Sequence, residues 1–157
     1  MSSATARVTA ALAAASITGT VHTLDSSART AALAAEQLGV DVGAIANSLI
    51  FAADSEPLLI MTSGAHRVDT ALVATAIGAQ KITRADADFV RLHTGQVIGG
   101  VSPVGHPAPI RTVVDKSLAN YPQLWAAAGH PNSIFSLSYS ELVRVTGGIE
   151  LDVASVS

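Results

Sequence analysis

The sequence predicts a single α+β domain in which short helices and short strands interleave around a mixed sheet. Its 157 residues fit one hydrophobic core. Hydrophobic residues make up 49% of the chain and charged residues only 13%, so the chain has enough apolar surface to build that core. Apolar residues recur with helical spacing in some segments and form short continuous runs in others. We therefore expect residues 1–157 to form one domain.

The composition excludes several classes of protein. With no cysteine in the chain, disulfides, thiolate zinc sites and cysteine nucleophiles are ruled out. No apolar run approaches the roughly 18 residues that a membrane-spanning helix needs. The alanine-rich start, Ala4 to Ala15, places Val8 and Leu12 on one helical stripe, which favours a packed amphipathic helix over a signal peptide. We expect a cytoplasmic protein without a membrane segment.

A strand and a second helix are predicted after this N-terminal helix. The β-branched stretch Thr18–Leu24 is typical of a short strand. Ser26 or Ser27 can cap the helix that follows, because a serine hydroxyl accepts a hydrogen bond from a free amide of the first turn. The apolar positions stop before Gly39, and glycine readily takes the left-handed conformation that ends helices.

The middle of the chain predicts a hairpin and a third helix. Two apolar runs, Ser48–Ala52 and Leu58–Thr62, flank a turn-forming stretch and indicate two antiparallel strands. Asp69 begins a helical pattern that ends at Gly78. A short strand is expected at Lys81–Thr83.

The second half of the chain continues the alternation. Thr83 and Asp86 resemble a capping box before a helix that ends at Gly95. Ser138 and Glu141 form a second capping box before the last helix. Strands are expected near Arg111–Val114, Leu124–Ala127 and Ile134–Leu137.

Two stretches lack a regular pattern. Gly99–Pro109 is dense in glycine and proline, and long ordered loops on small domains often carry function. Residues 149–157 show no periodicity, so we expect them to form a loose tail.

The charge pattern limits the nucleic acid that the chain can hold. The net charge is −3, which is too negative for a protein that grips a long duplex, because affinity rises with each neutralised phosphate. Residues 64–116 are nevertheless net basic and carry six cations against four carboxylates. The cations are Arg67, Lys81, Arg84, Arg91, Arg111 and Lys116. We expect any contact with nucleic acid to be small and to use some of these six.

Several common catalytic arrangements are absent. The histidines have no metal-ligand spacing and no glutamate near them, so we expect no metal; they are His22, His66, His93, His106 and His130. The Gly-x-Ser-x-Gly pattern of a serine hydrolase is missing. A stretch with the spacing of a phosphate loop has Val101 where the lysine would meet the phosphates, which excludes nucleotide triphosphate hydrolysis. No cofactor is expected.

The glycine-rich loop remains as the candidate site. Gly99, Gly100 and Gly105 allow positive φ and leave backbone amides accessible. Pro103 would hold the bend. Two interpretations stay open: the loop is a cradle of amides for a ligand carbonyl or phosphate, or it is a tight structural crossover.

At this loop the chain resembles a known family. The run Gly-Gly-Val-Ser-Pro-Val-Gly-His at residues 99–106 is similar to the glycine-proline loop of the YbaK-type aminoacyl-tRNA deacylases, which are relatives of the editing insertion in bacterial prolyl-tRNA synthetase. The resemblance continues in order from residue 18 to residue 148. It includes the stretches Ile45–Phe51, Ser63–Asp69, Trp125–Gly129 and Ser140–Gly147.

The resemblance implies a fold and a reaction. The family's fold is a curved mixed sheet of about six or seven strands that forms a partial barrel surrounded by helices. Its activity is hydrolysis of the ester between a wrong amino acid and the terminal adenosine of a tRNA. The substrate's own ribose hydroxyl is thought to assist in this family. A side-chain nucleophile is then unnecessary, in keeping with the absence of one here.

The resemblance also implies which residues form the site. Gly99, Gly100 and Pro103 would shape a cradle of amides that polarises the ester carbonyl. Asn47 would orient the amino acid or the terminal adenosine. The expected substrate-binding residues are Val101, Ser102, His106, Gly129 and His130; for His130 a surface position in the loop before Pro131 is the alternative.

One position departs from the family pattern. The family usually has lysine where this chain has Asn47, and an amide can donate and accept hydrogen bonds but carries no positive charge. The first hypothesis is a free-standing trans-editing hydrolase that cleaves a mischarged tRNA carrying a small amino acid. A module that binds the aminoacyl-tRNA 3′ end with weak or no catalysis is the alternative. An interaction domain that reuses the fold is the third.

The partner follows from the first hypothesis. The chain is expected to contact only the acceptor end of an aminoacyl-tRNA, which suits its weak charge, and an aminoacyl-tRNA synthetase is a possible second partner. The sequence specifies neither the amino acid nor the oligomeric state.

Overall fold

The strands of the chain pair into one curved, open, mixed sheet. The computed structural model describes residues 3–17, 21–24 and 30–154. Within these ranges the helices are α1 (Ser3–Ala14), α2 (Ala31–Leu38), α3 (Thr70–Ile77), α4 (Ala87–Thr94) and α5 (Tyr139–Thr146). The strands are β1 (His22–Thr23), β2 (Ile45–Ala53), β3 (Glu56–Ser63), β4 (Ile82–Arg84), β5 (Arg111–Asp115), β6 (Leu124–Ala127), β7 (Ser133–Leu137) and β8 (Ile149–Leu151).

The order of strands across the sheet is β1-β7-β6-β2-β3-β5-β8, and β4 pairs with β2 beside this path. Parallel pairs join β2 to β6, β3 to β5 and β5 to β8, and the other pairs are antiparallel. The expected α+β class with a mixed curved sheet in one domain is confirmed. The sheet has eight strands in the described residues, and β8 is the strand that the sequence did not reveal.

The long hairpin β2–β3 forms the centre of the sheet, as predicted. Its register runs from Ala46 opposite Ser63 to Ala53 opposite Glu56. The turn residues Asp54 and Ser55 have φ of 49° and 74°. Two consecutive positive φ values match the twist of antiparallel strands, which explains the tight connection.

Side chains that accept backbone hydrogen bonds set the helix starts. Asp69 caps α3 and Gly78 ends it in the left-handed conformation, as expected from the sequence. Ser138 and Glu141 form a complete capping box at α5. These local signals were readable because the cap and its partner amide are only three residues apart.

Two caps differ from the prediction. The N-cap of α2 is Thr30, whose hydroxyl accepts a hydrogen bond from the Leu33 amide; Ser26 and Ser27, the expected caps, lie outside the described residues. The N-cap of α4 is Asp86 rather than Thr83. Thr83 lies within β4, so the helix begins only after the strand has ended.

The helices pack on both faces of the sheet. One core cluster joins α1, α4 and α5 to the sheet through residues such as Val8, Val90 and Leu142. A second cluster places Val73 of α3 on the opposite face. Strand β3 contributes alternately to both clusters, so it is buried on both faces and needs no polar alternation. Within the described ranges no helix is both long enough and apolar enough to cross a membrane.

The expected loose tail is wrong for residues 149–154. Ile149–Leu151 forms β8 and pairs in parallel with β5. Val153 is fully buried, and its carbonyl accepts a hydrogen bond of 2.7 Å from the amide of Asp69. A three-residue strand is too short to show periodicity, which is why tertiary packing alone defines it. Residues 155–157 lie outside the described ranges.

Candidate functional site

A cleft of about 530 Å³ opens along β2. Strand β6 pairs with β2 only at Ile45 and Ala46, and β4 pairs with it only at Phe51–Ala53. Residues Asn47–Ile50 therefore have no strand partner on this side in the described part of the chain. All of Ile45–Phe51 line the cleft. A gap in strand pairing thus forms the floor of the cleft and leaves backbone groups for a ligand.

Asn47 lies at the centre of this uncovered edge. The residue is exposed and stands opposite Thr62 of β3 in the strand register. Its side chain lines the cleft and has no hydrogen-bond partner among the described residues. The amide can therefore donate and accept hydrogen bonds with a bound molecule.

The loop between α4 and β5 forms the opposite wall. Ile98, Gly99 and Val101 line the cleft from this side. Gly99 has φ of 87°, a conformation that glycine adopts without strain. The structure thus brings Asn47 and the start of the glycine-rich loop together around one cavity.

Alternate amides of the loop are used internally. The Gly100 amide donates to the Val97 carbonyl at 2.9 Å. The Ser102 amide donates to Gln96 Oε1 at 2.7 Å, and the Val104 amide donates to Ser102 Oγ at 3.3 Å. These three amides are therefore not available to a ligand.

The amides that alternate with these three belong to residues that lie next to the cleft. Gly99 and Val101 both line it, and neither N–H has an acceptor among the described residues. Val101 is only 3% exposed, so its amide is largely shielded from bulk water. Pro103, which is also buried, has no N–H to offer. Two unpaired amides at the wall of a cavity form a place for an oxygen that carries partial negative charge.

The buried side of the loop is braced by side chains. Gln96 is 1% exposed, and its Nε2 donates to the Val104 carbonyl at 3.1 Å while its Oε1 accepts from Ser102. His106 Nε2 lies 2.7 Å from the Ser102 carbonyl. Burial lowers the pKa of His106 below its usual value, although the hydrogen bond to Ser102 acts in the opposite direction. Ser102 and His106 do not line the cleft, and their polar groups hold the shape of the loop.

The segment after β6 supports the loop from the other side. A Cβ added at Gly100 would lie 2.8 Å from backbone atoms of His130 and Pro131, so the two segments touch through their backbones. Pro131 lines the cleft. His130 is exposed, its Nδ1 accepts a hydrogen bond from the Asn132 amide, and it does not line the cleft.

Gly129 and Pro103 also lie outside the cleft. Gly129 has φ of 94°, and a Cβ there would lie 2.9 Å from the backbone of Ala4 in α1. Glycine is required at position 129 because of this close approach. Of the nine residues singled out from the sequence, the structure places Asn47, Gly99 and Val101 in the cleft wall. The other six, Gly100, Ser102, Pro103, His106, Gly129 and His130, lie around and behind it.

Several cleft residues were missed by the sequence reasoning. Trp125 lines the cleft, and its indole Nε1 is buried without a hydrogen-bond partner in the described structure. Phe51 and Pro131 also contribute, and so does Arg84, which is one of the six cations expected to contact nucleic acid. The chain has one tryptophan, and three alanines follow it in the sequence. This was a usable signal, because a lone large aromatic residue in a core of small residues often lines a cavity.

The lining of the cleft restricts the chemistry. Most of its residues are apolar, and Arg84 is the one side chain among the described lining residues that carries a charge. The hydroxyl of Thr30 is engaged at the start of α2, and that of Ser48 lies 3.2 Å from the Met61 sulfur. With no base beside either hydroxyl in this lining, the cleft favours binding and polarisation of a ligand over attack by a side chain.

The comparison with protein families agrees with this geometry. The family described as the aminoacyl-tRNA editing domain matches residues 25–145, a span that contains both walls of the cleft. The chain belongs to the aminoacyl-tRNA editing domain family. Membership of this family assigns the chain to aminoacyl-tRNA editing.

Two curated relatives of this editing domain come from bacteria. "Uncharacterized protein YwhH" of Bacillus subtilis is 31% identical over 123 residues, which cover 78% of each protein. "Putative Cys-tRNA(Pro)/Cys-tRNA(Cys) deacylase EbsC" of Enterococcus faecalis is 25% identical over 121 residues, which cover 71% of this chain and 74% of that protein.

A solved structure shares the whole fold of this editing domain. A crystal structure described as "a putative trans-editing enzyme for prolyl tRNA synthetase" superimposes with a TM-score of 0.93 at 35% sequence identity. The superposition covers 99% of both chains. EbsC is named as a deacylase and the solved relative as a trans-editing enzyme, so a hydrolase role is supported for the group.

Proposed function

We propose that this chain hydrolyses the ester between a small amino acid and the 3′-terminal adenosine of a mischarged tRNA. The observation that carries the proposal is that Gly99 and Val101, whose amides have no acceptor among the described residues, line one cleft together with the uncovered edge of β2. The ester carbonyl would accept hydrogen bonds from these amides, which polarise it for attack. Asn47 would orient the amino acid or the adenosine.

The proposed step needs only water and the substrate. The oxygen of a water molecule attacks the carbonyl carbon, the bond from that carbon to the ribose oxygen breaks, and the ribose oxygen takes a proton. Free amino acid and tRNA with a restored hydroxyl are the products. The neighbouring ribose hydroxyl is placed to assist, as in the family that the chain resembles, and the amides stabilise the charge on the carbonyl oxygen.

The roles of the remaining site residues follow from their positions. Gly100 and Pro103 would shape the loop, and Ser102 and His106 would keep it rigid from behind. Gly129 and His130 would hold Pro131 against the loop. These residues therefore act on the substrate through the loop wall.

The substrate class follows from the walls. Ala46, Ile50 and Val101 contribute apolar surface to the cleft, which suits a small uncharged amino acid. EbsC is described as acting on Cys-tRNA(Pro), and the solved relative is described as serving prolyl tRNA synthetase. We include in the proposal that a synthetase of this kind releases the mischarged tRNA to this chain.

A deacylation assay over a panel of mischarged tRNAs tests the proposal. We expect slow turnover by the natural protein, faster than spontaneous ester hydrolysis. Asn47→Lys should raise the rate, by up to about 10²-fold, because one preorganised polar contact to the transition state is worth that order. Thr83→Lys is the matched control, since Thr83 is exposed on β4 and does not line the cleft.

Other outcomes have definite meanings. Turnover equal to the spontaneous rate for every small amino acid, with binding of a non-hydrolysable aminoacyl-adenosine analogue retained, favours the binding module. Loss of both turnover and binding favours an interaction domain that reuses the fold. An equal rise in rate from Asn47→Lys and Thr83→Lys contradicts the role given to Asn47.

A further inference from the structure

A second cavity lies beside the cleft and is not used by the proposed reaction. It is a groove of about 500 Å³. Its floor is formed by Leu49 and Phe51 of β2, and its walls come from the loop between β3 and α3 on one side and from β4 on the other. Leu49, Phe51 and Arg84 line both cavities, so the groove continues directly from the cleft.

The walls of the groove carry two arginines and a histidine. Arg67 and His66 stand on the loop wall and Arg84 on the β4 wall. Within the described structure neither arginine takes part in an ion pair. His66, by contrast, is paired with Asp115. Both guanidinium groups are exposed and therefore free to meet a ligand.

His66 is held in place by a buried carboxylate. Its Nδ1 lies 2.9 Å from Asp115 Oδ2. Asp115 is 1% exposed and also accepts hydrogen bonds from the amides of Ser63 at 3.0 Å and Ser117 at 3.0 Å and from the Ser117 hydroxyl at 2.8 Å. Burial alone would raise the pKa of Asp115, but the hydrogen bonds outweigh it and hold the pKa below its usual value.

The ionised carboxylate fixes the orientation of the imidazole. The contact of Nδ1 with the carboxylate orients the ring and leaves Nε2 without a hydrogen-bond partner among the described residues. The His66 side chain is 37% exposed, so this nitrogen remains accessible beside Arg67.

We propose that this groove binds the backbone phosphates of the single-stranded 3′ end of the tRNA, directly upstream of the adenosine in the cleft. The inference rests on the proposed function, because the cleft must hold the terminal nucleotide for its neighbours to reach the groove. Arg67 and His66 contact phosphate from the loop wall. The apolar floor at Leu49 and Phe51 offers a surface on which a base can stack.

The size and charge of the groove favour a single strand. Its volume of about 500 Å³ suits one or two nucleotides rather than a duplex, and two arginines neutralise few phosphates. A negative net charge over the whole chain is compatible with a contact of this limited size. Of the six cations of residues 64–116, Arg67 and Arg84 line the groove.

Binding measured against salt concentration tests the proposal. The probes are a non-hydrolysable 3′-aminoacyl-adenosine analogue without phosphate and the same analogue extended to the trinucleotide CCA. For the trinucleotide, Arg67→Gln and His66→Gln should each weaken binding about three- to tenfold, and Arg67→Gln should also reduce the slope of log affinity against log salt by about 0.7, because one phosphate is no longer neutralised. Binding of the adenosine analogue should not change.

The controls separate charge from folding. Arg144→Gln removes the same charge from an exposed arginine that lines neither cavity and should leave the slope unchanged. Arg67→Lys keeps the charge and should keep the slope. Cooperative thermal unfolding of each variant shows that it is folded.

The possible failures are distinct. If the natural protein binds neither probe, the proposed function and the groove are both overturned. If it binds both probes and the variants keep the natural salt slope for the trinucleotide, only the groove is overturned. An equal loss of affinity for both probes also overturns the groove, because it places the effect in the cleft.

Discussion

The two walls of the cleft are held in different ways. The loop wall is braced from behind by buried side chains. Gln96, for example, accepts a hydrogen bond from the Ser102 amide and donates one to the Val104 carbonyl. The β2 wall presents Asn47, whose side chain has no partner among the described residues. The loop is therefore shaped before any ligand arrives, whereas the strand edge obtains its partners from the ligand. The comparison predicts that substitutions behind the loop mainly cost stability and that substitutions at Asn47 mainly cost binding.

The largest effect on stability is expected from Gln96→Ala. The substitution leaves the Ser102 amide without its acceptor and the Val104 carbonyl without its donor. The site is buried, since Gln96 is only 1% exposed. We expect the free energy of unfolding to fall by about 2–4 kcal/mol. Urea denaturation measures this. Gln80→Ala, the same change at an exposed side chain, should cost less than about 0.5 kcal/mol, and equal losses for the two variants would contradict the bracing role.

A smaller loss is expected from Gly100→Ala. A methyl group there meets the backbone of His130 and Pro131 at 2.8 Å, so the loop and the segment after β6 must separate, at a cost of about 1–3 kcal/mol. Gly99→Ala is the matched control. Its Cβ meets Pro131 only at 3.9 Å, and the positive φ costs about 1 kcal/mol. Thermal unfolding ranks the two, and a greater loss for Gly99→Ala would show that backbone strain, not contact, limits this wall.

The buried position of His106 predicts a dependence of stability on pH. The pKa of His106 is lower in the folded chain than its usual value of 6.5, mainly because of burial. The unfolded chain therefore binds a proton first as the pH falls below 6.5, and the free energy of unfolding decreases there. His106→Gln should remove this part of the decrease between about pH 6.5 and pH 5. Denaturation of both proteins across this range measures it, and identical pH profiles would contradict the prediction.

The smallest effect on stability is expected at the strand wall. Asn47→Ala should change the free energy of unfolding by less than about 0.5 kcal/mol, because the side chain is exposed and makes no hydrogen bond in the described structure. Binding of an aminoacyl-adenosine analogue should nevertheless weaken about fivefold, the worth of one hydrogen bond. Asn120→Ala, at an exposed asparagine outside the cleft, should change neither quantity. A stability loss at Asn47 as large as at Gln96 would remove the contrast between the walls.

Local patterns predicted most of the fold. The hairpin β2–β3 follows from two apolar runs around a turn, and α3 and α5 follow from a cap, an apolar stripe and a final glycine. Each of these signals acts over a few residues, so it is visible without tertiary contacts. Strand β8 and the buried Val153 give no such signal, because pairing with β5 and the hydrogen bond to Asp69 define them.

The candidate site was predictable only in part. The resemblance brought Asn47 and the Gly99–Pro103 loop to one site, and the structure places Asn47, Gly99 and Val101 around one cleft. It did not show which loop groups face inward: Ser102 and His106 look like substrate-binding residues in sequence, yet their polar atoms serve the loop. The bracing by Gln96 and the pairing of His66 with Asp115 were also hidden, since each joins residues through side-chain contacts that no spacing encodes.

The gap in strand pairing along β2 has a consequence for solubility. An uncovered strand edge is ordinarily a place where a second chain can add a strand and begin an aggregate. Here the open stretch spans only Asn47–Ile50, and its two ends are closed by β6 and β4. An incoming strand would have to stop after a few residues, too few for stable pairing. This stretch of β2 can therefore expose peptide groups to a small ligand without offering a second chain an edge long enough to extend.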